Sequence, residues 1–296
     1  MTLNRKQSSA SWRITIVSLM ICMSSVCSAA PGMSIGLSGG LEIFHLKEFD
    51  SDGSRLLSEA GNRYVTTVLL DNSRAYNHEA SLLYHLEAAA YWGQVSYDGQ
   101  TQSLDPAQSN LPVTSNTDYQ GGRAEALLGY RFQSSIIPQT IEVTGGLGID
   151  GWSRQIADGT ASNGILVSGI HEVYRAYFGK VALGLTHIYP STWYSHLQLG
   201  LKIPFNITED VGLRDLGYDS DLTVSPGNAY SGFVTLLFEP QTNPDKPGNL
   251  FFSAYYDGFR FDPSKAKTAT HNGSPIPVWQ PKTQIDVYGV QIGYRF

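Results

Sequence analysis

The chain ends in Val287-Tyr288-Gly289-Val290-Gln291-Ile292-Gly293-Tyr294-Arg295-Phe296. Counted back from the end in steps of two, one set of positions is aromatic or aliphatic and comprises Tyr288, Val290, Ile292, Tyr294 and Phe296. The positions between them are mostly small or polar. A period of two is that of a β-strand, because successive side chains point to opposite faces. The stretch therefore predicts a terminal strand with one apolar face and one polar face.

The same alternation recurs along most of the chain. Together with the terminal stretch it predicts about ten strands, as an antiparallel barrel would need, at 34–46, 64–70, 82–93, 123–132, 141–150, 180–186, 193–203, 230–238, 250–261 and 287–296. The composition agrees, with 30 Gly, 17 Tyr and 12 Phe against only 16% charged residues. Strands that alternate never build a long apolar run, so moderate hydrophobicity is compatible with a membrane location.

The connections between these strands alternate in length. The longer ones fall at 47–60, 98–117, 155–169, 204–228 and 263–281, and the shorter ones lie between them. Membrane β-barrels have short turns at one end and long loops at the other, with an even number of strands. We therefore predict an all-β fold, a single antiparallel transmembrane barrel. A soluble β-sandwich would also give many short strands, but it would not require this asymmetry.

The N-terminus has the features of a secretory signal peptide. Arg5, Lys6 and Arg13 precede an apolar stretch at 14–26, and small residues follow up to Ala29. This order of basic, apolar and small residues is typical of a cleaved signal, and the apolar run is too short to span a membrane as a helix. We predict a signal peptide at 1–29 and one barrel domain at 30–296.

Both cysteines, Cys22 and Cys27, fall within this segment. A lipid anchor at either one is the alternative interpretation, although the residues preceding each fit a lipidation site poorly. With cleavage after Ala29, the mature chain has no cysteine. It can then form neither a disulfide nor a thiolate metal site.

Aromatic residues bracket the apolar faces of several predicted strands. On the third strand, for example, the apolar face runs from Tyr84 to Trp92. Aromatic side chains at both ends of an apolar face are typical of the interfacial girdles of a membrane barrel. The predicted girdle residues are Tyr84, Trp92, Tyr130, Phe132, Trp193 and Tyr294.

The opposite parity of the strands places charged side chains in the lumen. They are Glu42, Glu87, Arg123, Glu125, Arg131, Glu142, Asp150, Lys180, Lys202, Asp257 and Arg295. A barrel of about ten strands has a narrow interior that side chains can fill. Because an unpaired buried charge is costly, these groups are expected to form ion pairs, with Arg123 between Glu87 and Glu125. A pore lining is the alternative role for the same residues.

No motif in the sequence carries recognisable catalysis. The spacing from Gly146 to Gly151 fits a dinucleotide-binding loop, but no helix pattern follows it, as that motif requires. His171, His187 and His196 have no nucleophile in a local motif, and no metal-ligand spacing or cofactor motif is found. The sequence thus predicts no enzyme, with an outer-membrane hydrolase as the less favoured alternative. A net charge of −6 argues against a nucleic-acid partner.

Three segments resemble a family of proteobacterial outer-membrane β-barrel proteins of unknown function. They are 84–99 (YHLEAAAYWGQVSYDG), 117–132 (TDYQGGRAEALLGYRF) and the ending VYGVQIGYRF. The ending is similar to the terminal strands of outer-membrane barrels. In that class the last Phe and nearby aromatics are read by the assembly machinery, which gives this role to Tyr288, Val290, Ile292, Tyr294 and Phe296. The resemblance implies a fold and a location, but no activity.

Two functions remain at this stage. The first is a structural or surface-interaction barrel with a largely filled lumen, and the second is a narrow porin-like channel for small solutes or ions. For either, the expected location is the outer membrane of a Gram-negative bacterium. The expected partners are outer-membrane lipid, lipopolysaccharide and the barrel assembly machinery, with a small solute possible.

Overall fold

The computed structural model describes residues 33–72, 81–101, 108–133, 139–189, 193–240 and 248–296. The predicted signal peptide at 1–29 lies outside the described residues. Within the described part of the chain, no helix is long and apolar enough to cross a membrane.

The described residues form ten long antiparallel strands and six short ones. In chain order the strands are β1 (Ser34–Phe49), β2 (Arg55–Asp71), β3 (Ser81–Gln100), β4 (Pro112–Gln133), β5 (Gln139–Ile156), β6 (Gly159–Ala161), β7 (Leu166–Val167), β8 (His171–Ile188), β9 (Trp193–Val211), β10 (Leu222–Val224), β11 (Gly227–Asn228), β12 (Ser231–Pro240), β13 (Asn249–Asp262), β14 (Lys267–His271), β15 (Ser274–Val278) and β16 (Lys282–Arg295). The ten long strands form a closed ring in the order β1-β2-β3-β4-β5-β8-β9-β12-β13-β16. The predicted all-β barrel is confirmed.

The terminal strand closes this ring. β16 pairs with β1 from Gly36 opposite Arg295 to Phe49 opposite Lys282, and with β13 on its other side. The backbone N–H of Phe296 adds a hydrogen bond of 2.8 Å to the carbonyl oxygen of Ile35. Closure leaves the long strands without a free edge, so their backbone groups are paired inside the membrane.

An apolar band surrounds the barrel. Leu, Ile, Val and Ala side chains point outward from the long strands, and aromatic residues mark both limits of the band. At the end where β1 begins and β16 ends, the exposed aromatic residues are Tyr130, Phe132, Trp193 and Tyr294, and Tyr84 is half-buried. At the other end, the exposed aromatic residues are Tyr64, Trp92, Tyr177, Phe205 and Tyr288. The outward set of β16 is Tyr288, Val290, Ile292, Tyr294 and Phe296, and all five are exposed. Most of the shorter connections between the long strands lie at the end where β1 begins and β16 ends, and this identifies it as the inner, periplasmic end.

The strands continue beyond this band at the outer end, where the sequence predicted loops. β2 begins at Arg55, not at Tyr64, and β1 ends at Phe49, so the first outer connection is only the turn 50–54. The predicted long loop at 47–60 is therefore wrong. The sequence did not predict these outer parts of the strands, because their outward residues are polar. Above the membrane the outward face contacts water, while the inward face remains buried.

Pro204 does not end its strand, contrary to the prediction. β9 runs on to Val211, and the pairing with β8 shifts between Tyr177 and Phe178 so that Pro204 faces Phe178. A proline cannot donate to the ladder and is accommodated in sheets at such irregularities. Before the shift the inward residues include Lys202 and Pro204; after it they are Ile207, Glu209 and Val211.

The predicted outer loops contain short strands of their own. The connection 263–281 folds into a hairpin of β14 and β15, and its turn residues Asn272 and Gly273 have φ of 51° and 74°. Asn-Gly with positive φ at both positions is a favoured two-residue hairpin turn. This hairpin packs against the connection 212–230 through an apolar cluster, which we call the loop cluster: Val211, Leu213, Val224 and Ala269.

Candidate functional site: the charged lumen

An ion cluster around Arg154 closes the outer end of the lumen. The guanidinium of Arg154 lies 3.0 Å from Glu48, 3.0 Å from Glu59 and 2.6 Å from Glu172. The fourth carboxylate, Glu209, accepts a hydrogen bond of 2.9 Å from the Tyr174 hydroxyl, which also contacts Glu172. Since Glu48 and Glu59 stand on β1 and β2 and the others on β5, β8 and β9, the cluster joins opposite walls of the barrel.

This outer cluster carries more carboxylates than cations. It lies outside the membrane-spanning segments. On β2, β8 and β9 the exposed aromatic residues that mark the outer limit of the apolar band are closer to the membrane centre than the cluster is. Burial raises the pKa of the Glu48 carboxyl to about 7, against the opposing effect of Arg154. Burial, followed by the proximity of Glu172, also raises the pKa of the Glu209 carboxyl well above its ordinary value. Protons on these two groups reduce the repulsion within the cluster.

A second set of ion pairs crosses the middle of the lumen. Arg123 on β4 lies 3.5 Å from Asp257 on β13, which is on the opposite wall, and 3.5 Å from Glu87. Lys202 also contacts Asp257, at 2.6 Å, and Arg63 lies 2.6 Å from Glu42. The side chains of Lys202 and Glu42 are 0% exposed. The middle of the lumen is thus crossed by paired charges.

Aromatic rings separate these charges from one another. The Lys202 ammonium lies 4.1 Å from the Phe259 ring centre, and the Arg63 guanidinium lies 4.2 Å from that of Phe44. Cations over aromatic faces are stabilised by the ring quadrupole, more strongly when desolvated. Glycine on a neighbouring strand makes room for some rings: a Cβ at Gly289 would lie 2.2 Å from the Tyr255 ring. An inward glycine thus leaves space for an aromatic ring of the neighbouring strand.

At the inner end, two more arginines hold carboxylates. Nη1 of Arg295 lies 3.0 Å from both oxygens of Asp71, and its Nε lies 3.3 Å from Glu239. Arg131 lies 2.7 Å from Glu142. In each of the three layers an arginine or lysine contacts buried carboxylates, so removal of that cation would leave a buried charge without its partner.

The predicted lumen residues all lie on the inward parity of their strands, but one predicted pairing is wrong. Glu125 contacts Lys180 at 2.5 Å and not Arg123. In the β3–β4 register Glu125 faces Glu87 directly, and Gly148 faces Glu125 from β5. Lys180 on β8 faces Gly146 in the β5–β8 register and reaches across β5 to Glu125. Asp150, also predicted to face the lumen, accepts a hydrogen bond of 2.6 Å from Tyr91.

Sequence reasoning missed all the charged residues of the outer cluster. Glu48, Glu59, Arg154, Glu172 and Glu209 all fall in stretches that were predicted as loops or left unassigned. The available signal was the continued parity of β1, where Glu42, Phe44, Leu46 and Glu48 are all buried. When the predicted strand is extended beyond Leu46, a charged residue at an inward position, such as Glu48, predicts a buried ion pair.

An apolar core fills the space around the outer cluster. Trp152 stacks on Tyr174 with ring centres 4.8 Å apart and lies 6.2 Å from Phe261. Phe178 and Ile207 are also buried in this core. The part of the barrel that projects outside the membrane is therefore packed internally, as in a small filled barrel.

One arrangement in the inner lumen has the composition of a catalytic triad. Oγ1 of Thr186 lies 2.9 Å from Nδ1 of His196, and Nε2 of His196 lies 3.8 Å from Glu142. Thr186 is buried, and Glu142 already pairs with Arg131. In the described part of the chain, no group of three histidines, cysteines or carboxylates is arranged to hold a metal ion.

A closed ten-stranded barrel with an outward apolar band and aromatic limits defines an integral protein of the bacterial outer membrane. The comparisons with solved structures agree. The outer membrane protease OmpT from Escherichia coli matches with a TM-score of 0.55 at 10% identity, over 89% of this chain and 96% of that chain. At this identity the likeness shows a shared fold and nothing further.

Two other solved structures are similar at lower scores. The transport unit of the autotransporter AIDA-I from Escherichia coli has a TM-score of 0.45 at 8% identity, over 95% of this chain and 97% of that chain. Ail, the attachment invasion locus protein of Yersinia pestis, has a TM-score of 0.34 at 12% identity, over 89% and 99% of the two chains. No family model and no curated protein matches the chain.

Proposed function

We propose that this protein is a non-conducting outer-membrane barrel that acts through its outer surface. The observation that carries the proposal is the filled lumen. Arg123 and Asp257 connect opposite walls at the level of the membrane, and Arg154 connects opposite walls above it. A solute or hydrated ion would have to break these buried pairs, and each broken pair leaves a desolvated charge.

The outer connections support an interaction role. The loop cluster gives the connections 212–230 and 263–281 a small apolar core of their own. Large apolar side chains nevertheless remain outside it, among them Leu166 at 82% and Trp279 at 49% exposure. Exposed apolar residues on an ordered scaffold are a usual feature of protein contact sites. We infer that the partner is met at this end.

Planar-bilayer conductance tests the proposal. The protein without its signal segment, refolded from denaturant, is expected to give no discrete conductance steps at neutral pH. A matched variant with Trp152→Ala and Phe261→Ala, which empties part of the outer apolar core, should remain closed because the ion pairs below are intact. Steps of uniform size from the unmodified protein, reproduced between preparations, would exclude the non-conducting role and favour a narrow channel.

The mature chain in this proposal comprises residues 30–296. We also propose that the protein is not an enzyme. The buried Thr186 and the engagement of Glu142 with Arg131 support this. The test is a panel of ester, peptide and glycoside substrates offered to the folded protein in detergent. Turnover that is lost in a His196→Gln variant of equal stability would overturn this proposal.

A further inference from the structure

The outward surface just above the apolar band differs from one wall of the barrel to the next. On β13 and β16, Arg260 pairs with Asp286 at 2.5 Å. On β8 and β9, Arg175 pairs with Asp210 at 2.7 Å, and Thr223 donates a hydrogen bond to the same carboxylate. On these walls the charged outward groups are therefore already engaged by one another.

The wall formed by β3, β4 and β5 has a cleft at this level instead. Its volume is ≈ 350 Å³, and it is lined by Trp92, Gly93, Asp118, Tyr119, Gln120, Ser153 and Gln155. Within the described part of the chain, the side-chain amide of Gln120 has no hydrogen-bond partner, and Asp118 is bonded only to Gln94, at 2.9 Å. The lining holds one carboxylate and no basic residue. It can therefore exchange several hydrogen bonds with a ligand, but it offers no cation to a phosphate.

The cleft lies at the level of the lipid head groups. Trp92 faces Gln120 directly in the β3–β4 register and stacks on Tyr64, with ring centres 6.1 Å apart, at the outer limit of the apolar band. Below it, toward the membrane centre, the outward residues of the two strands are small: Ala88, Ala90, Ala124 and Ala126. A flat apolar surface under a polar cleft suits a molecule with an acyl chain below and a polar head above.

We propose that this cleft binds the sugar head group of an outer-leaflet glycolipid. Amide and carboxylate side chains can exchange hydrogen bonds with adjacent sugar hydroxyls, and the exposed ring of Trp92 offers an apolar face for the sugar C–H groups. The hydroxyls, and not the phosphates, are the recognised groups, because the lining has no Lys or Arg. The acyl chains lie against the alanine surface below. This inference is independent of whether the lumen conducts.

The test uses the full barrel refolded without lipopolysaccharide into phospholipid nanodiscs. Rough-type lipopolysaccharide is the ligand, and the dissociation constant is measured by isothermal titration calorimetry. A variant with Gln120→Ala and Ser153→Ala should bind roughly tenfold more weakly, because two hydrogen bonds are lost. Gln284→Ala on the opposite wall, also above the band, is the matched control and should bind as the unmodified protein does.

Three further arms separate the sources of binding. Lipopolysaccharide with its phosphates removed should retain its affinity, whereas the free saccharide without acyl chains should bind at least tenfold more weakly. Nanodiscs given extra phosphatidylethanolamine should show no saturable signal. Loss of binding on dephosphorylation, equal binding by the double variant, or an equal loss in Gln284→Ala would each overturn the site. Gln120 is exposed and Ser153 and Gln284 are half-buried, so the folding of each variant is checked by heat-modifiable mobility.

Discussion

Arg295 and Asp71 meet at the inner end of the lumen, where Nη1 of Arg295 lies 3.0 Å from each carboxylate oxygen of Asp71. The two residues belong to β16 and β2, which are separated by β1 in the sheet. Both side chains are buried, and Ser34 on β1 donates a hydrogen bond of 3.0 Å to the same carboxylate. One ion pair thus links the terminal strand to the first two strands at the point where the barrel closes.

Replacing Arg295 by Ala should weaken the closed barrel strongly. Asp71 and Glu239 would remain buried without this cation, and the expected cost is ~3–5 kcal/mol of unfolding free energy. Urea titration in detergent, followed by intrinsic fluorescence, measures the loss. Adding Asp71→Asn should recover part of it, because one uncompensated charge is removed. A double variant no more stable than the single one would argue against the pair as the cause.

Deletion of Phe296 should impair assembly more than stability. Its side chain is exposed on the lipid face, and its N–H contributes one hydrogen bond to Ile35. If the terminal aromatic residue is read during insertion, cells should accumulate unfolded protein in the periplasm, whereas refolding in detergent should be close to normal. The measurement is the heat-modifiable fraction from cells compared with that from refolded protein. Equal folded fractions from cells and from refolding would show that Phe296 is not needed for assembly in the cell.

Arg123→Ala should distinguish a dry lumen from a wet one. Arg123 lies between Glu87 and Asp257, so its loss leaves carboxylates close together, at an expected cost of ~3–5 kcal/mol in a dry lumen. In a water-filled pore the cost should be below ~1 kcal/mol. Arg55→Ala is the control, because Arg55 and Asp98 form a pair at 3.1 Å that is 51% and 57% exposed. Equal small losses in both variants would contradict the filled lumen.

The membrane orientation can be checked by epitope tags. Tags placed at Gln108, Asp219 or Lys267, all in outer connections, should be reached by antibody on intact cells. A tag at Asp245, in a short connection outside the described residues, should be reached only after the outer membrane is permeabilised. Labelling of Asp245 on intact cells would invert the assigned ends of the barrel.

The sequence predicted the part of the fold that lies within the membrane. There the outward face contacts lipid and must be apolar, so the alternation is strong; Leu82 to Trp92 on β3 is an example. Above the band the outward face contacts water, and the contrast between the two faces weakens. On β2 the outward residues Ser58, Ala60 and Asn62 therefore gave no strand signal. The inward residues of the same stretch include Leu57, Glu59 and Arg63, which are buried.

Ion-pair partners could not be predicted, because they depend on register. Arg123 and Glu125 are two residues apart, yet Arg123 contacts Asp257 on the far wall and Glu125 contacts Lys180. The distance between charged groups across the lumen depends on the tilt of the strands and on the volume of the side chains between them. By contrast, the hairpin at Asn272-Gly273 was predictable from turn chemistry alone, and the loop prediction there overlooked it.

The outer cluster makes stability depend on pH. Because the pKa of the Glu48 carboxyl is raised from 4.5 to about 7 in the folded protein, the folded state binds more protons than the unfolded state between these values. The contribution of this group to stability is therefore full below about pH 4.5 and is lost as pH rises through about 7. The raised pKa of Glu209 acts in the same direction.

Glu48→Gln should flatten this dependence. The amide keeps an oxygen that can accept from Arg154 and Gln280 but cannot ionise, so the urea midpoint should fall less between pH 6 and 8.5 than that of the unmodified protein. At pH 8.5 the variant should be the more stable of the two. Asp52→Asn is the control, because Asp52 is an exposed turn carboxylate whose pKa is lowered by hydrogen bonds from Ser54. It should leave the change between pH 6 and 8.5 intact. If the midpoint falls equally with pH in the protein with and without Glu48→Gln, the Glu48 carboxyl is not the titrating group.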